Sequence, residues 1–263
     1  MIPRADITAW RHVAPWITDA MVEQDLLISR ALVEIFSHSE LRRTLVFRGG
    51  TALHKLHFKQ ALRYSEDIDL VQIEPGPIGS VFDAVRELLS PWLGEPKRKQ
   101  GKDIVTLTFS TESEVPPVEP LRLKIEINAR EHFHVMDLED RPFDVSSNWF
   151  TGECELRIYC LEELLGTKMR ALYQRRKGRD LYDLWLGLNT ARANPLDIVK
   201  CFKAYMDHSM QKVSRREFEL NMIKKMSHPG FLSDTEGLLR PDIPYDPHKA
   251  YEYIKEALFS LQV

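Results

Sequence analysis

The chain has 263 residues, of which 43% are hydrophobic and 29% charged, which is typical of a globular protein with one large domain or two smaller ones. Its 36 basic and 39 acidic residues give a net charge of −3, which excludes a global basic field for nucleic acid and leaves only local patches. The three cysteines, Cys154, Cys160 and Cys201, lack metal-ligand spacing and indicate reduced thiols.

The N-terminal part of the chain predicts a helix followed by a strand. It begins without the apolar core of a signal peptide, and no stretch approaches the ~20 apolar residues of a membrane span, so we expect a cytoplasmic protein without membrane contact. Residues 17–37 have apolar side chains at helical spacing, and Thr18 or Asp19 can cap this helix. We expect it to pack behind a first strand at residues 44–47.

A turn with two glycines follows that strand, in the run Phe47-Arg48-Gly49-Gly50-Thr51-Ala52-Leu53. Glycines let backbone N–H groups approach a phosphate closely, and a helix expected over residues 51–58 favours negative charge at its start. The run therefore predicts that Gly49, Gly50 and Thr51 cradle phosphates. A pair of glycines taken alone is more often only a turn.

Two carboxylates come next, in the run Arg63-Tyr64-Ser65-Glu66-Asp67-Ile68-Asp69-Leu70. Asp67 and Asp69 are two positions apart on a strand expected over residues 67–71, so they point to the same side of it. They predict a site for Mg²⁺, which takes oxygen ligands and usually keeps substrate phosphates as further ligands. An Asp-x-Asp alone is more often a solvated strand end, but a phosphate cradle followed by a magnesium site is the minimum apparatus for nucleotidyl transfer.

A third carboxylate lies on a later strand. Residues 81–93 have helical periodicity, residues 104–109 alternate as a strand, and residues 121–128 show the clearest alternation in the chain. Glu126 is the acid on the polar side of that last strand, where it would help to hold a metal or accept the proton of an attacking hydroxyl. An ion pair of Glu126 with the neighbouring Lys124 or Arg122 is an equally good interpretation of the spacing.

From Leu161 onward the pattern is helical almost to the end. We place a domain boundary near residues 145–158, which gives a catalytic domain of residues 1–150 and a helical domain of residues 151–263. Six basic residues and one acid lie between Lys168 and Asp180. On a helical wheel Lys168 and Arg175 lie at the edge of the apolar face, where they suit a triphosphate or, equally well, cover apolar surface with their stems.

The end of this basic helix has two interpretations. Gly178 is expected to end the helix, and Asp180 can then cap the next one. The alternative gives Asp180 a charged role beside Arg179 or Lys168. The two interpretations differ in what the change of Asp180 to Asn would do, because Asn caps a helix about as well as Asp.

The glycine run and the acidic run resemble those of the AbiEii/AbiGii toxin family. Its members are nucleotidyltransferases with a DNA-polymerase-β-like catalytic domain, encoded in toxin–antitoxin and phage-defence operons of bacteria. Sixteen residues separate Gly50 from Asp67, a longer gap than in the general nucleotidyltransferase pattern and similar to this branch. The resemblance extends over about residues 17 to 190.

The resemblance implies an α+β fold, with a mixed sheet in a polymerase-β-like domain and a helical C-terminal domain. It also implies roles for individual residues. Asp67, Asp69 and Glu126 would hold Mg²⁺, Arg63 and Ser65 would position phosphate oxygens, and Asp180 would be needed for activity. In the basic segment, the resemblance assigns Lys168 to the nucleotide phosphates and gives Arg179 a bracing role.

The expected reaction is attack of an acceptor hydroxyl on the α-phosphate of an NTP, with release of pyrophosphate. The resemblance makes tRNA a candidate acceptor and an antitoxin encoded nearby the expected partner. Two other functions stay open, a nucleotidyltransferase that modifies a small molecule or a protein and a nucleotide-binding module without turnover. The intact pair Asp67 and Asp69 argues against the module.

Overall fold

The computed structural model describes residues 2–58, 60, 62–101 and 103–261, and the chain divides into two compact units. The first unit runs to His134 and resumes at Leu138–Tyr159. The second consists of Val135–Asp137 and the chain from Cys160 onward. A mixed sheet with helices makes the first unit and helices make the second, so the predicted α+β class with a helical C-terminal part is confirmed.

The first unit is built on a seven-stranded sheet with the order β3-β4-β5-β2-β1-β7-β6. Its strands are β1 (Leu45–Arg48), β2 (Asp67–Gln72), β3 (Lys97–Gln100), β4 (Ile104–Glu112), β5 (Pro120–Asn128), β6 (Leu138–Ser146) and β7 (Thr151–Tyr159). β2 is parallel to β5 and β1 is parallel to β7, while the other neighbours are antiparallel. The sheet is therefore mixed, with β2 near its centre.

Five helical segments accompany this sheet: α1 (Arg4–Trp10), α2 (Asp19–Ser37), α3 (Ser39–Thr44), α4 (Gly49–Ala52) and α5 (Ile78–Leu93). The predicted first helix is confirmed as α2, and the Thr18 side chain caps it by accepting a hydrogen bond from the backbone of Met21. The helix predicted over residues 51–58 begins earlier, at Gly49, and its second part, Leu53–His57, is π-helical. The alternation in β4 and β5 buries one face of each strand, as predicted.

Strands β3, β6 and β7 were not identified from the sequence, and all four residues of β3 are exposed. β6 is an edge strand with mostly exposed side chains and contains Pro142, which is tolerated only at sheet edges and bulges. In β7 only the last residues are buried, among them Leu156, Ile158 and Tyr159. Neither strand therefore has the apolar alternation that predicts a strand, and the first unit extends as far as Tyr159.

The second unit contains the helices α6 (Leu161–Gln174), α7 (Gly178–Asn189), α8 (Pro195–His208), α9 (Arg215–Met226), α10 (Pro229–Leu232) and α11 (Pro247–Leu258). Glu163 of α6 is fully buried and accepts hydrogen bonds from the backbone N–H groups of Val135 and Met136 and from the Tyr205 hydroxyl. This carboxylate attaches the short segment Val135–Asp137 to the second unit. Across the described part of the chain, the helices are too short or too polar to cross a bilayer.

Candidate functional site

The three predicted metal-binding carboxylates lie on neighbouring strands of the first unit. Asp67 and Asp69 are on β2, and Glu126 is on β5. The parallel register pairs Asp67 with Lys124 and Asp69 with Glu126. Because residues paired in register point to the same face of a sheet, these four side chains form one block of charge, called here the charged block. The structure thus brings together the three acids that the sequence analysis selected.

Lys124 is the cation of the charged block. Its Nζ lies 2.7 Å from Glu126 Oε1 and 3.8 Å from Asp67 Oδ2. Burial alone would lower the pKa of Lys124, but the hydrogen bond to Glu126 and the charges of Asp67 and Glu126 raise it above its ordinary value. The ion pair considered as the alternative role of Glu126 is therefore present within β5, and it coexists with the placement of Glu126 beside Asp69.

One lysine does not balance three carboxylates. Burial raises the pKa of Asp67 to about 6; Lys124 opposes the rise, and the negative charges of Asp69, Glu66 and Glu126 add to it. A raised carboxyl pKa means that the ionised form is poorly compensated in its surroundings. A bound cation would remove this excess of negative charge.

Gly49 provides the space in which the Asp69 carboxylate lies. Its φ is +82°, and a Cβ at this position would lie 2.0 Å from Asp69 Oδ2. Any side chain at position 49 would therefore both strain the backbone and displace Asp69. Gly50, the other predicted cradle residue, lies inside α4 and is buried. The first turn of α4 receives no hydrogen bond from the side chain of its N-cap residue, Arg48, and a helix start of this kind can bind a phosphate.

Thr51 and Ser65 connect α4 to the start of β2. The Thr51 hydroxyl donates a hydrogen bond to the backbone carbonyl of Asp67 at 2.5 Å and lies 3.0 Å from Ser65 Oγ. Thr51 is only 2% exposed. Its side chain therefore holds the backbone of Asp67 in position, whereas the predicted phosphate cradle concerns the backbone N–H groups of residues 49–51. Ser65 is half-buried beside it.

The two arginines of this region, Arg63 and Arg48, both form hydrogen bonds or ion pairs with other groups of the protein. Arg63, predicted to contact phosphate, is 2% exposed, and its Nη1 donates to the backbone carbonyl of Tyr64 at 2.9 Å. Arg48, the register partner of Asp69, forms an ion pair of 2.7 Å with Glu131. Sequence reasoning missed the role of Arg48 and the contact of Lys124 with Asp67, because both depend on strand register.

The donor set of the charged block fits a hard cation held partly by substrate. Among the residues that the structure describes, no three or more His, Cys, Asp or Glu side chains are arranged as a preformed metal cage. Mg²⁺ is usually bound by one or two carboxylates plus substrate phosphates and water, and carboxylate oxygens are its preferred ligands. Asp67 and Asp69 supply this minimum, with Glu126 beside Asp69.

The predicted helix ends in the basic segment of the second unit are wrong. α6 ends at Gln174, so Arg175 lies beyond it and the helical-wheel argument does not apply to Arg175. Gly178 begins α7 instead of ending α6, and the cap position belongs to Lys177. Asp180 is therefore a residue of the first turn and not a helix cap.

Asp180 instead pairs with two cations. Arg175 donates to both of its carboxylate oxygens, from Nε at 2.7 Å and from Nη2 at 2.8 Å, while Lys168 Nζ lies 3.3 Å from its Oδ1. Burial would raise the pKa of Asp180, but Lys168 and the hydrogen bond and charge of Arg175 lower it below its ordinary value. Asp183, one helical turn on, also contacts Lys168, with an Nζ–Oδ2 distance of 2.8 Å. Both carboxylates are fully buried.

Arg179 has a different partner from the one predicted. Its backbone N–H donates to Asp234 Oδ2 at 3.1 Å, and its Nε lies 3.5 Å from the same oxygen. Gly178 beside it approaches Phe231 so closely that a Cβ would lie 2.1 Å from the Phe231 carbonyl oxygen. The segment after α9 therefore holds the α6–α7 turn. Asp183 had a visible sequence signal, its i, i+3 spacing from Asp180, whereas Asp234 had none.

The sequence matches a family model described as the AbiEii nucleotidyl transferase toxin of a type IV toxin–antitoxin system, over residues 30–256. The structure is similar to that of JHP933 from Helicobacter pylori, with a TM-score of 0.58 at 17% identity over 94% of this chain and 93% of the other. A candidate nucleotidyltransferase from H. pylori gives a TM-score of 0.56 at 17% identity, over 94% and 96% of the two chains. At this identity the two structures show a shared fold. None of the curated proteins matches the sequence.

Proposed function

Because the chain belongs to the AbiEii family of nucleotidyltransferase toxins, we propose that it transfers the NMP of an NTP to an acceptor hydroxyl and releases pyrophosphate. The observation that carries this proposal is the charged block, in which three acids share one sheet face next to the glycine turn. We further propose tRNA as the acceptor and an antitoxin encoded nearby as the partner that counteracts the activity.

Asp67 and Asp69 would bind Mg²⁺, with Glu126 as a third oxygen donor beside Asp69. When bound, Mg²⁺ neutralises charge on the phosphate oxygens and makes the α-phosphorus a better electrophile. The protein contributes the positions of these carboxylates. Thr51 fixes the backbone at Asp67, and Gly49 leaves the space that Asp69 needs.

The attacking hydroxyl must lose a proton as its oxygen bonds to the α-phosphorus. Glu126 is the acid of the charged block that lies on β5, and Lys124 holds its carboxylate in place. We assign to Glu126 the acceptance of this proton. The bond that breaks is the one between the α-phosphorus and the bridging oxygen of the departing pyrophosphate, which leaves with the negative charge.

The second unit supplies cations of the type that bind triphosphates. Arg175 has a half-exposed side chain and a guanidinium oriented by both oxygens of Asp180. Lys168 is oriented by Asp180 and Asp183. We propose that Lys168 and Arg175 bind nucleotide phosphates, while Arg179, with Asp234, braces the α6–α7 turn. Asp180 would act through the cations that it positions.

Incubation with α-labelled NTPs, first with total RNA and then with cell protein or small metabolites, tests the reaction and its acceptor class. We expect label on RNA with the wild type and none with the double variant Asp67→Asn, Asp69→Asn, because a neutral amide is a poor ligand for Mg²⁺. The matched control is Asp83→Asn, Glu87→Gln, which removes two exposed charges from α5 of the same unit and should transfer normally. Transfer by the Asp67, Asp69 variant would remove the acidic pair from the mechanism, and label on protein or a metabolite alone would replace RNA as the acceptor.

A further inference from the structure

The sheet of the first unit presents a polar face that extends from the charged block to the edge strand β3. The Arg98 guanidinium lies 4.3 Å over the Phe82 ring of α5, so Arg98 points to the face that this helix covers. Side chains alternate along a strand, so Lys97 and Lys99 point to the opposite face. That opposite face is the one that carries the charged block, as the strand register demonstrates.

Two rows of register partners connect β3 with the acids. The first row is Lys97, Thr108, Lys124 and Asp67, and the second is Lys99, Thr106, Glu126 and Asp69. Strands lie ~4.8 Å apart, so the lysines of β3 are three strands, or ~14 Å, from β2. A third pair, Ser110 with Arg122, lies next to the first row.

Lys97, Lys99 and Arg122 are defined here as the basic strip. All three are exposed, and none forms an ion pair with another residue in the described part of the chain. The hydroxyls of Thr106 and Thr108 lie between the two lysines and the charged block, and Ser110 lies beside Arg122. The face therefore changes from acidic at β2 to neutral on β4 and basic at its edge.

Resting on the proposed nucleotidyltransferase function, we propose that this face docks a polynucleotide acceptor, with its phosphodiester backbone on the basic strip and its reactive hydroxyl at the charged block. A local strip of unpaired cations is the electrostatic footprint of such a ligand in a protein whose net charge is −3. A polymer with phosphates at regular intervals can contact the basic strip at several phosphates while its reactive end lies at the acids. Hydroxyls between the two ends suit sugar and phosphate oxygens.

Edge strands often carry lysines for another reason, to prevent pairing with the edge of a second sheet. Glutamate is charged as well and protects an edge in the same way, but it repels phosphates. Reversal of charge therefore separates docking from edge protection. Replacing Lys97 and Lys99 by glutamate also leaves Asp67, Asp69 and Glu126 in place.

The test measures binding of a fluorescently labelled single-stranded RNA of mixed sequence by anisotropy, with Mg²⁺ and without NTP, at several salt concentrations. We expect Lys97→Glu, Lys99→Glu to bind RNA at least tenfold more weakly than the wild type. The slope of log affinity against log salt should flatten by ~1.4, since each lost phosphate contact on a single strand accounts for ~0.7. NTP affinity and the melting temperature should not change.

The matched control is Lys200→Glu, Lys249→Glu, which changes the net charge equally at exposed positions of α8 and α11. Equal loss of RNA affinity in both variants, or no loss in the β3 variant, would overturn the docking proposal. Because binding is measured without turnover, the two proposals fail separately. If RNA affinity depends on the basic strip but the protein transfers no NMP, docking is supported and the proposed reaction is rejected. If the protein transfers NMP to RNA and the β3 variant binds RNA as the wild type does, the reaction is supported and docking is rejected.

Discussion

Gly49 is the residue whose environment most restricts what can replace it. Its backbone has a positive φ, and its missing side chain is where the Asp69 carboxylate lies. The glycine pair was visible in the sequence, but the division of roles within it was not. The conformation that only glycine adopts readily is at Gly49, whose φ is +82°, and not at Gly50.

Gly49→Ala should lose nucleotidyl transfer and destabilise the protein, because the new Cβ would lie 2.0 Å from Asp69 Oδ2. Gly94→Ala is the matched control, since Gly94 has φ +76° and no atom within 4 Å of the position of a Cβ. Both changes cost about 1–3 kcal/mol of backbone strain, and only the first displaces a carboxylate. Denaturant unfolding and labelled transfer assays would measure the two effects, and equal behaviour of the variants would contradict the crowding argument.

Asp67 should make the free protein less stable as it ionises. Its folded pKa of about 6 lies above the ~3.9 of an unfolded chain, so between these values the folded state binds more protons. The free energy of unfolding therefore falls as the pH rises from ~4 to ~6. We expect Asp67→Asn to lose this dependence and to melt at a higher temperature than the wild type above pH 6, while transfer is abolished. Thermal melts of both proteins without metal across this pH range would measure the difference. A lower melting temperature of Asp67→Asn than of the wild type at neutral pH would contradict the prediction.

Asp180 affects the pH dependence of stability in the opposite sense to Asp67, because its pKa in the folded protein is lowered. A carboxylate of this kind contributes stability above the unfolded pKa of ~3.9 and loses it as the pH falls through its folded value. Asp180→Asn removes the carboxylate that Arg175 and Lys168 both contact. We expect a loss of about 2–4 kcal/mol in the free energy of unfolding and roughly 10²-fold in transfer rate. Asp207→Asn at an exposed site of α8 is the control, and an unchanged unfolding curve for Asp180→Asn would remove the buried cluster from the account of stability.

At the scale of elements, strand alternation was the most reliable signal and helix ends the least. The pattern of residues 121–128 predicted which face of β5 is buried and left Glu126 on the polar one. Sequence could not supply the register that places Lys124 beside Asp67, since register depends on a partner strand more than fifty residues away. The end of α6 at Gln174 was missed because the last carbonyls of this helix accept hydrogen bonds from a residue that is distant in sequence, and not from the chain around Gly178.

That residue is Lys225 of α9, which donates hydrogen bonds to the backbone carbonyls of Leu172 and Tyr173 in the last turn of α6. Such carbonyls lack partners within their own helix, and a cation there also interacts favourably with the negative end of the helix dipole. Lys225→Met should lower the free energy of unfolding by about 1–3 kcal/mol, because the buried carbonyl of Leu172 and the partly buried carbonyl of Tyr173 lose their donor. Lys224→Met, at the exposed neighbouring position, should be nearly neutral. Chemical denaturation of both variants would check this, and equal stability of the two would show that α6 does not need the cap.

At the scale of the whole molecule, the class and order of the two units followed from composition and periodicity, but the path of the chain between them did not. A switch from alternating to helical patterns near residue 160 is visible in the sequence. The assignment of Val135–Asp137 to the second unit is not, because it depends on the buried Glu163 and its hydrogen bonds to the backbone of that segment.

Val135–Asp137 belongs to the second unit although it lies in the sequence between two parts of the first. We therefore expect that two fragments divided at the peptide bond between Tyr159 and Cys160 remain associated. A fragment of residues 1–159 carries within it the segment Val135–Asp137, whose backbone N–H groups donate hydrogen bonds to Glu163 of the other fragment, residues 160–263. Co-expressed as two polypeptides, with an affinity tag on one, the fragments should purify together, and Glu163→Gln should weaken their association by removing a charged acceptor of three hydrogen bonds. Recovery of the tagged fragment alone would contradict this. The gene could thus be divided at this bond, and the complete set of strands and helices would assemble only where both fragments are synthesised.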